Sequence, residues 1–153
     1  MISPTTSKIG RQKNLGNLMA RLMLDTNICI HAIDRNVPEV VQRLQRSRPE
    51  DLAISSIVAA ELWTGVMKSR ARQREAEALN QFLTFVEVLG WPVEAARIYG
   101  EIRATLEAKG RPIGAMDMLI AAHALHENAT LVTRNVGEFA QVEGLKIENW
   151  VVG

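Results

Sequence analysis

The stretch "RLMLDTNICI", residues 21–30, decides the predicted fold class. Its apolar run, Leu22–Leu24, is too short for a helix and indicates a brief buried strand. The strand stops at Asp25, and an apolar pattern of helical character follows. An acid at this junction is unusual, because Asp is almost never buried without a partner. The question is whether other acids occupy similar positions.

Short apolar strands and helical segments alternate along the rest of the chain. This alternation predicts an α/β fold, a three-layer α/β/α sandwich around a mostly parallel central sheet. Ser55 or Ser56 is expected to cap the third helix. The further strands are predicted at 52–55, 86–90, 129–134 and 145–150, and the helices at 27–34, 38–47, 57–69, 71–85, 93–110 and 115–128.

The chain length suits one domain. It has 153 residues, of which 47% are hydrophobic, enough to build a single core. Residues 1–20 are rich in Ser, Thr, Gly and Asn and are predicted to form a flexible polar tail. Residues 21–153 are predicted to form the folded domain.

Composition excludes several classes of protein. No apolar run is long enough to cross a bilayer, and the first residues lack the apolar segment of a secretory signal. A single cysteine, Cys29, excludes an internal disulfide framework and a multi-cysteine zinc site. The expected location is the cytoplasm. Because the net charge is only +1, nucleic-acid binding would have to come from local basic patches.

Two further acids occur inside apolar helical segments. Glu61 lies in "IVAAELW", and Asp117 lies in "IGAMDMLIAAHAL". Each acid has an ordinary structural explanation. Asp25 can cap a helix, Asp117 can sit in a first helical turn where the helix dipole favours it, and Glu61 can face water on an amphipathic helix.

Taken together, the three acids favour a different interpretation. All three can reach the carboxyl edge of a parallel sheet, where ligands of such sheets bind. Two carboxylates 4 Å apart repel by about 4 kcal/mol at an effective dielectric constant near 20. Protons or a divalent cation must offset that cost, and an all-oxygen site suits Mg²⁺ or Mn²⁺.

The end of the fourth strand, in "LVTRNVGEF" at 131–139, is the fourth place to examine. Asn135 can cap the short helical turn that follows, or it can orient a metal-bound water. Glu138 is expected to point into solvent, with the site as its alternative position.

At this point the sequence resembles the PIN-domain ribonucleases, and within them the VapC-like toxins of bacterial toxin–antitoxin pairs. The matching blocks are "MLDTNICI", "ISSIVAAELWTGVMKS", "IGAMDMLIAAHAL" and "LVTRNVGEFAQVEGLKIENW", in the family's order from Leu22 to Trp150. The resemblance implies an α/β/α sandwich and a metal-dependent endoribonuclease. It also implies an RNA substrate, a small VapB-like antitoxin as partner, and a homodimer without membrane association.

The resemblance also assigns roles to residues. It implies that Asp25 and Asp117 bind Mg²⁺ or Mn²⁺, and that Glu61 positions or deprotonates the attacking water. Asn135 stands where many PIN domains have an acid, and it receives a supporting catalytic role. The hydrogen-bonding residues around these groups would be Thr26, Asn27 and Thr133.

Other polar residues keep two interpretations. Exposed basic residues can grip a phosphate backbone or simply be solvated. Trp63 can stack on a base, although a Trp among aliphatic residues is more often in the core. The histidines and Cys29 are expected to be structural, buried or exposed rather than catalytic. The basic residues are Lys68, Arg70, Arg72, Arg74, Arg111 and Arg134, and the histidines are His31, His123 and His126.

Three other functions are alternatives to the endoribonuclease. A catalytically inactive PIN-fold module that binds RNA or protein is favoured by Asn135 and opposed by the three acids. A phosphatase with Asp25 as nucleophile needs a second acid where Asn27 stands. A nucleotide-dependent oxidoreductase needs a Gly-rich turn after the first strand, and "DTNICI" has none.

Overall fold

The computed structural model describes residues 21–151. Within them, five strands form one sheet in the order β3-β2-β1-β4-β5, and every pairing is parallel. The predicted three-layer α/β/α architecture is confirmed. The predicted tail, residues 1–20, lies outside the described residues. The strands are β1 (Leu22–Leu24), β2 (Leu52–Ser55), β3 (Glu87–Leu89), β4 (Thr130–Val132) and β5 (Lys146–Glu148).

Seven α-helices occur in the described part of the chain. The first six overlap the six predicted segments, with bounds that differ by one or two residues, and the seventh is the short helical turn expected after Asn135. A 3₁₀ turn, Pro49–Asp51, precedes β2 and was not predicted. The helices are α1 (Thr26–Asp34), α2 (Pro38–Arg46), α3 (Ser56–Lys68), α4 (Arg72–Leu83), α5 (Ala95–Ala108), α6 (Ala115–His126) and α7 (Val136–Phe139). None of the helices described is long and apolar enough to span a membrane.

Local chemistry explains where the helices begin. The Asp25 carboxylate accepts a hydrogen bond from the Thr26 backbone N–H at 2.8 Å and caps α1. Ser55, not Ser56, caps α3, because its hydroxyl oxygen accepts the Ile57 N–H at 3.1 Å. Pro38 occupies the first position of α2, where its missing N–H has no helical partner to lose.

Side-chain contacts connect the last strand, β5, and the following Trp150 to α2. The Arg43 guanidinium donates to the Glu148 carboxylate and lies 5.1 Å from the ring centroid of Trp150. The Trp150 indole N–H donates to the same carboxylate at 2.7 Å, and the ring is fully buried. A cation–π contact and a charged hydrogen bond therefore hold β5 and Trp150 in place.

The sheet order places β1 and β4 side by side at its centre. The chain runs from β1 to β2 and β3 on one side and later to β4 and β5 on the other. Such a reversal leaves a crevice at the carboxyl ends of the two central strands. Leu24 pairs with Val132 in register, so Asp25 and Thr133 both follow directly into this crevice. The Asp25 N–H extends the ladder to the Val132 carbonyl at 2.9 Å.

Candidate active site

Asp25 is held in the crevice by two hydrogen bonds. Its side chain is only 5% exposed, and besides the α1 cap it accepts the Thr133 hydroxyl at 2.7 Å. The Thr133 hydroxyl oxygen in turn accepts the Asn135 backbone N–H at 2.9 Å, which leaves its hydrogen free to point at Asp25. Burial raises the pKa of Asp25, and the hydrogen bonds from Thr133 and Thr26 only partly offset this effect.

Glu61 reaches the same edge from α3. It is the sixth residue of that helix and half-buried, and its carboxylate accepts a hydrogen bond from the Thr26 hydroxyl. Thr26 therefore contacts both acids, through its N–H to Asp25 and through its hydroxyl to Glu61. This arrangement rules out the alternative in which Glu61 faces water away from the other acids.

Asp117 is the third residue of α6 and completes the predicted set. Its pKa is raised from 3.8 to about 6, first by burial and then by the negative charges of Asp25, Glu138 and Glu61. These charges raise the pKa only because the carboxylates are near one another in space. The predicted convergence of Asp25, Glu61 and Asp117 is thus present in the structure.

Glu138 also lies near the acids, so the structure favours the site, which was the alternative position expected for it, over bulk solvent. Its half-buried carboxyl lies close enough to raise the pKa of Asp117, and its charge also raises the pKa of Asp25. The one-turn helix α7 follows the end of β4 after three intervening residues and brings Glu138 near this edge. In the sequence, Glu138 has the feature that made Asn135 a candidate, because both are polar residues that follow a buried strand.

Asn135 lies at the rim of the cluster. It occupies the residue before α7, but its side chain makes no cap hydrogen bond, so the helix-capping alternative is wrong. Its backbone N–H donates to the Thr133 hydroxyl oxygen, which holds that hydroxyl in place beside Asp25. Asn27 is exposed in the first turn of α1.

The donor set fits a hard divalent cation, although no closed ligand cage is present. Among residues 21–151, no group of three His, Cys, Asp or Glu side chains is arranged to hold a metal ion. Mg²⁺ commonly keeps several waters and uses only one or two carboxylates, so a cage of three is not required. The neighbouring carboxyls, whose charges help to raise the pKa of Asp25 and Asp117, supply the negative potential that such an ion would neutralise.

The surrounding basic and aromatic side chains are distributed as follows. Trp63 packs partly against the core, in keeping with its structural interpretation. The Arg72 guanidinium donates to the Met67 carbonyl at 2.9 Å and closes the end of α3. Cys29 is buried, as expected. The exposed basic residues are Lys68, Arg70, Arg72, Arg74, Arg111 and Arg134.

Comparison with known proteins places this arrangement in a family. The model of the PIN domain matches residues 22–145. The chain belongs to the PIN-domain family. It is 44% identical to ribonuclease VapC2 of Rickettsia felis, over 84% of this chain and 96% of the relative. It is 39% identical to the tRNA(fMet)-specific endonuclease VapC of Salmonella typhimurium, over 86% of this chain and 99% of the relative.

Solved structures agree with the PIN-domain assignment. The VapBC2 complex of Rickettsia felis bound to a promoter DNA fragment matches with a TM-score of 0.79 and 43% identity, covering 84% of this chain and 98% of that one. The DNA-bound VapBC complex of Salmonella typhimurium matches with a TM-score of 0.81 and 38% identity, covering 86% and 99%. The PIN fold expected from the sequence is therefore confirmed.

Proposed function

We propose that this PIN domain is a VapC-type endoribonuclease that hydrolyses RNA phosphodiester bonds with the help of Mg²⁺ or Mn²⁺. The observation that carries the proposal is the cluster of Asp25, Glu61, Asp117 and Glu138 at the carboxyl edge of the sheet. Relatives of nearly equal length are named as ribonucleases and a tRNA-specific endonuclease. The comparisons and the site chemistry thus support one activity.

Asp25 and Asp117 are the proposed metal ligands. When bound, a divalent cation polarises the phosphoryl oxygen and lowers the pKa of a coordinated water. Thr26 and Thr133 hold the Asp25 carboxylate in a fixed orientation through the hydrogen bonds described above. A preoriented ligand loses less free energy when it binds, which is why such supporting residues matter for affinity.

Glu61 and Glu138 are the proposed groups that handle protons. Glu61, oriented by the Thr26 hydroxyl, positions the attacking water and accepts its proton. The negative charge of Glu138 helps to raise the pKa of Asp117, and a protonated Asp117 must lose its proton before it can coordinate a cation. Asn135, at the rim, has a proposed supporting catalytic role beside the scissile phosphate.

The proposed substrate is a structured RNA, and tRNA is the first candidate because one relative is named for it. Exposed basic residues near the end of α3 supply contacts to the phosphate backbone that do not depend on base sequence. The cytoplasm, where such RNA is present, is the proposed location.

The proposed biological role is that of a toxin restrained by a small VapB-like antitoxin. The related VapC chains occur in VapBC complexes, two of them solved with DNA. A basic segment of the antitoxin would be attracted to the acidic cluster. A homodimer of this chain completes the proposed assembly.

A nuclease assay tests the proposal. Protein treated with EDTA is incubated with tRNA and with other structured RNA, and Mg²⁺ or Mn²⁺ is then added in excess. The expected result is cleavage that depends on the added metal and is lost in Asp117→Asn. Wild-type protein that binds RNA but never cleaves it with either metal would favour the inactive binding module instead.

A further inference from the structure

Two of the acids lie on different helices, and polar contacts connect those two helices. α3 carries Glu61, and α6 carries Asp117. Trp91, in the loop after β3, contacts both helices. Its backbone N–H donates to the Ser56 hydroxyl oxygen at 3.0 Å, and its indole N–H donates to the Leu119 carbonyl at 2.8 Å.

A second contact connects the same two helices in the core. Nδ1 of His123, on α6, lies 2.8 Å from the hydroxyl oxygen of Ser55, the residue that caps α3, and both side chains are fully buried. Because the Ser55 hydroxyl oxygen already accepts the Ile57 N–H, its own hydrogen is available for Nδ1. This arrangement requires the tautomer with hydrogen on Nε2, a buried atom that has no hydrogen-bond partner among the described residues and lies 3.9 Å from the Glu127 carboxylate.

These two contacts join the parts of the helices that lie nearest the acids. Ser55 and Ser56 stand at the start of α3, one to two turns before Glu61. Leu119 is two residues after Asp117 on α6. The contacts therefore restrict sliding of α6 along α3 at the level of the carboxylate cluster. The residues that make these contacts form the α3–α6 bridge: Ser55, Ser56, Trp91, Leu119 and His123.

We propose that Trp91, together with His123, is a positioning residue that sets the distance between α3 and α6, and so the distance between Glu61 and Asp117. This inference rests on the proposed nuclease function. The two hydrogen bonds of Trp91 go to Ser56 and Leu119, so it acts through the helices that carry the acids. A misplacement of about 1 Å in a catalytic group can lower the rate by about 100-fold, so a contact of modest strength can govern activity.

The test uses three variants and one control. Trp91→Phe keeps an aromatic ring but removes the indole N–H, and Ser56→Ala removes the hydroxyl that accepts the Trp91 N–H. The double variant combines them. Trp150→Phe is the matched control, because it removes an indole N–H bonded to Glu148, outside the bridge.

Two properties are measured at a temperature where all variants are folded: kcat and KM on RNA, and Mn²⁺ affinity from the paramagnetic resonance signal of free Mn²⁺. A loss of about tenfold in kcat is expected for Trp91→Phe, with KM changed by less than about twofold and Mn²⁺ bound several-fold more weakly. Ser56→Ala should behave alike, and the double variant should be no worse than either single variant, because both break one chain of contacts. Trp150→Phe should lower the melting temperature but keep kcat and Mn²⁺ affinity.

His123 gives an independent second test. His123→Leu removes the buried hydrogen bond, whereas His123→Asn keeps an acceptor near the position of Nδ1. The inference predicts reduced Mn²⁺ affinity in His123→Leu and recovery in His123→Asn. Normal kcat and normal Mn²⁺ affinity in folded Trp91→Phe and His123→Leu would overturn it.

The outcomes separate this inference from the proposed function. Wild-type protein that binds Mn²⁺ but leaves RNA intact contradicts the nuclease proposal, and the Mn²⁺ affinities of the variants still decide the positioning role. Wild-type protein that binds no Mn²⁺ contradicts both.

Discussion

Replacing Asp117 by Asn should stabilise the metal-free protein at neutral pH. The rise in the pKa of Asp117 from 3.8 to about 6 corresponds to about 3 kcal/mol at 1.36 kcal/mol per pH unit. The side chain is half-exposed, so solvent screening reduces this to about 1–2 kcal/mol. Asn also loses a favourable interaction of about 0.5 kcal/mol with the start of α6. A net gain of about 1 kcal/mol raises the melting temperature by about 2–4 °C in a domain of this size.

The pH dependence of this gain has a defined sign. Because the folded-state pKa of Asp117 lies above its unfolded value, the native state binds more protons between about pH 4 and 6. The stabilising effect of protonation is complete below the unfolded pKa and is lost as the pH rises through about 6. The advantage of Asp117→Asn over wild type should therefore be largest at pH 7.5 and should shrink as the pH falls.

The assay is thermal unfolding of EDTA-treated wild type and variant from pH 4.5 to 8. Glu77→Gln, on the exposed side of α4, is the charge-matched control and should change the melting temperature very little at any pH. If Asp117→Asn melts below wild type at pH 7.5, or if the difference is the same at every pH, then burial and the neighbouring acids do not raise the pKa of Asp117 as described.

Three further predictions concern neighbouring residues. Asp25→Asn should lower RNA cleavage at least 100-fold and remove most of the rise in melting temperature that Mn²⁺ gives to wild type; an unchanged Mn²⁺ effect would exclude Asp25 as a ligand. Thr133→Val removes a hydrogen bond that lowers the pKa of Asp25, so the acidic limb of the plot of kcat against pH should move to higher pH. An acidic limb at the wild-type pH would show that Thr133 does not act on Asp25. Arg43→Met should lower the melting temperature by about 2–4 °C, because it loses the Glu148 and Trp150 contacts, without changing kcat; a loss of activity would tie this contact to the site.

The sequence predicted the fold because its signals were local. The apolar strand before Asp25 ends at that residue, which caps α1, and the strand "LAIS" ends at Ser55, which caps α3. Each of these strands and the start of the following helix could therefore be predicted from adjacent residues. The convergence of Asp25, Glu61 and Asp117 also followed, because parallel strands bring their carboxyl ends to one edge. Those acids could be placed without knowledge of any side-chain contact.

The partners of the acids could not be read in the same way. Which hydroxyl donates to Glu61, and which acids raise the pKa of Asp117, depend on how elements distant in sequence pack. The position of Glu138 stayed open between solvent and site, because a helix of four residues gives no periodicity from which its inward face can be inferred. The Ser55–His123 contact spans 68 positions and carries no local signal.

Calorimetric titration of Mn²⁺ into the metal-free protein measures whether the converging carboxyls form a site for a divalent cation. The titration is run at pH 6.0 and 7.5 in buffers of different ionisation enthalpy, so that proton release is measured together with binding. We predict saturable binding that releases more protons at pH 6.0 than at pH 7.5, and loss of that binding in Asp117→Asn. Absence of Mn²⁺ binding to wild type, or equal binding to Asp117→Asn, would contradict the account.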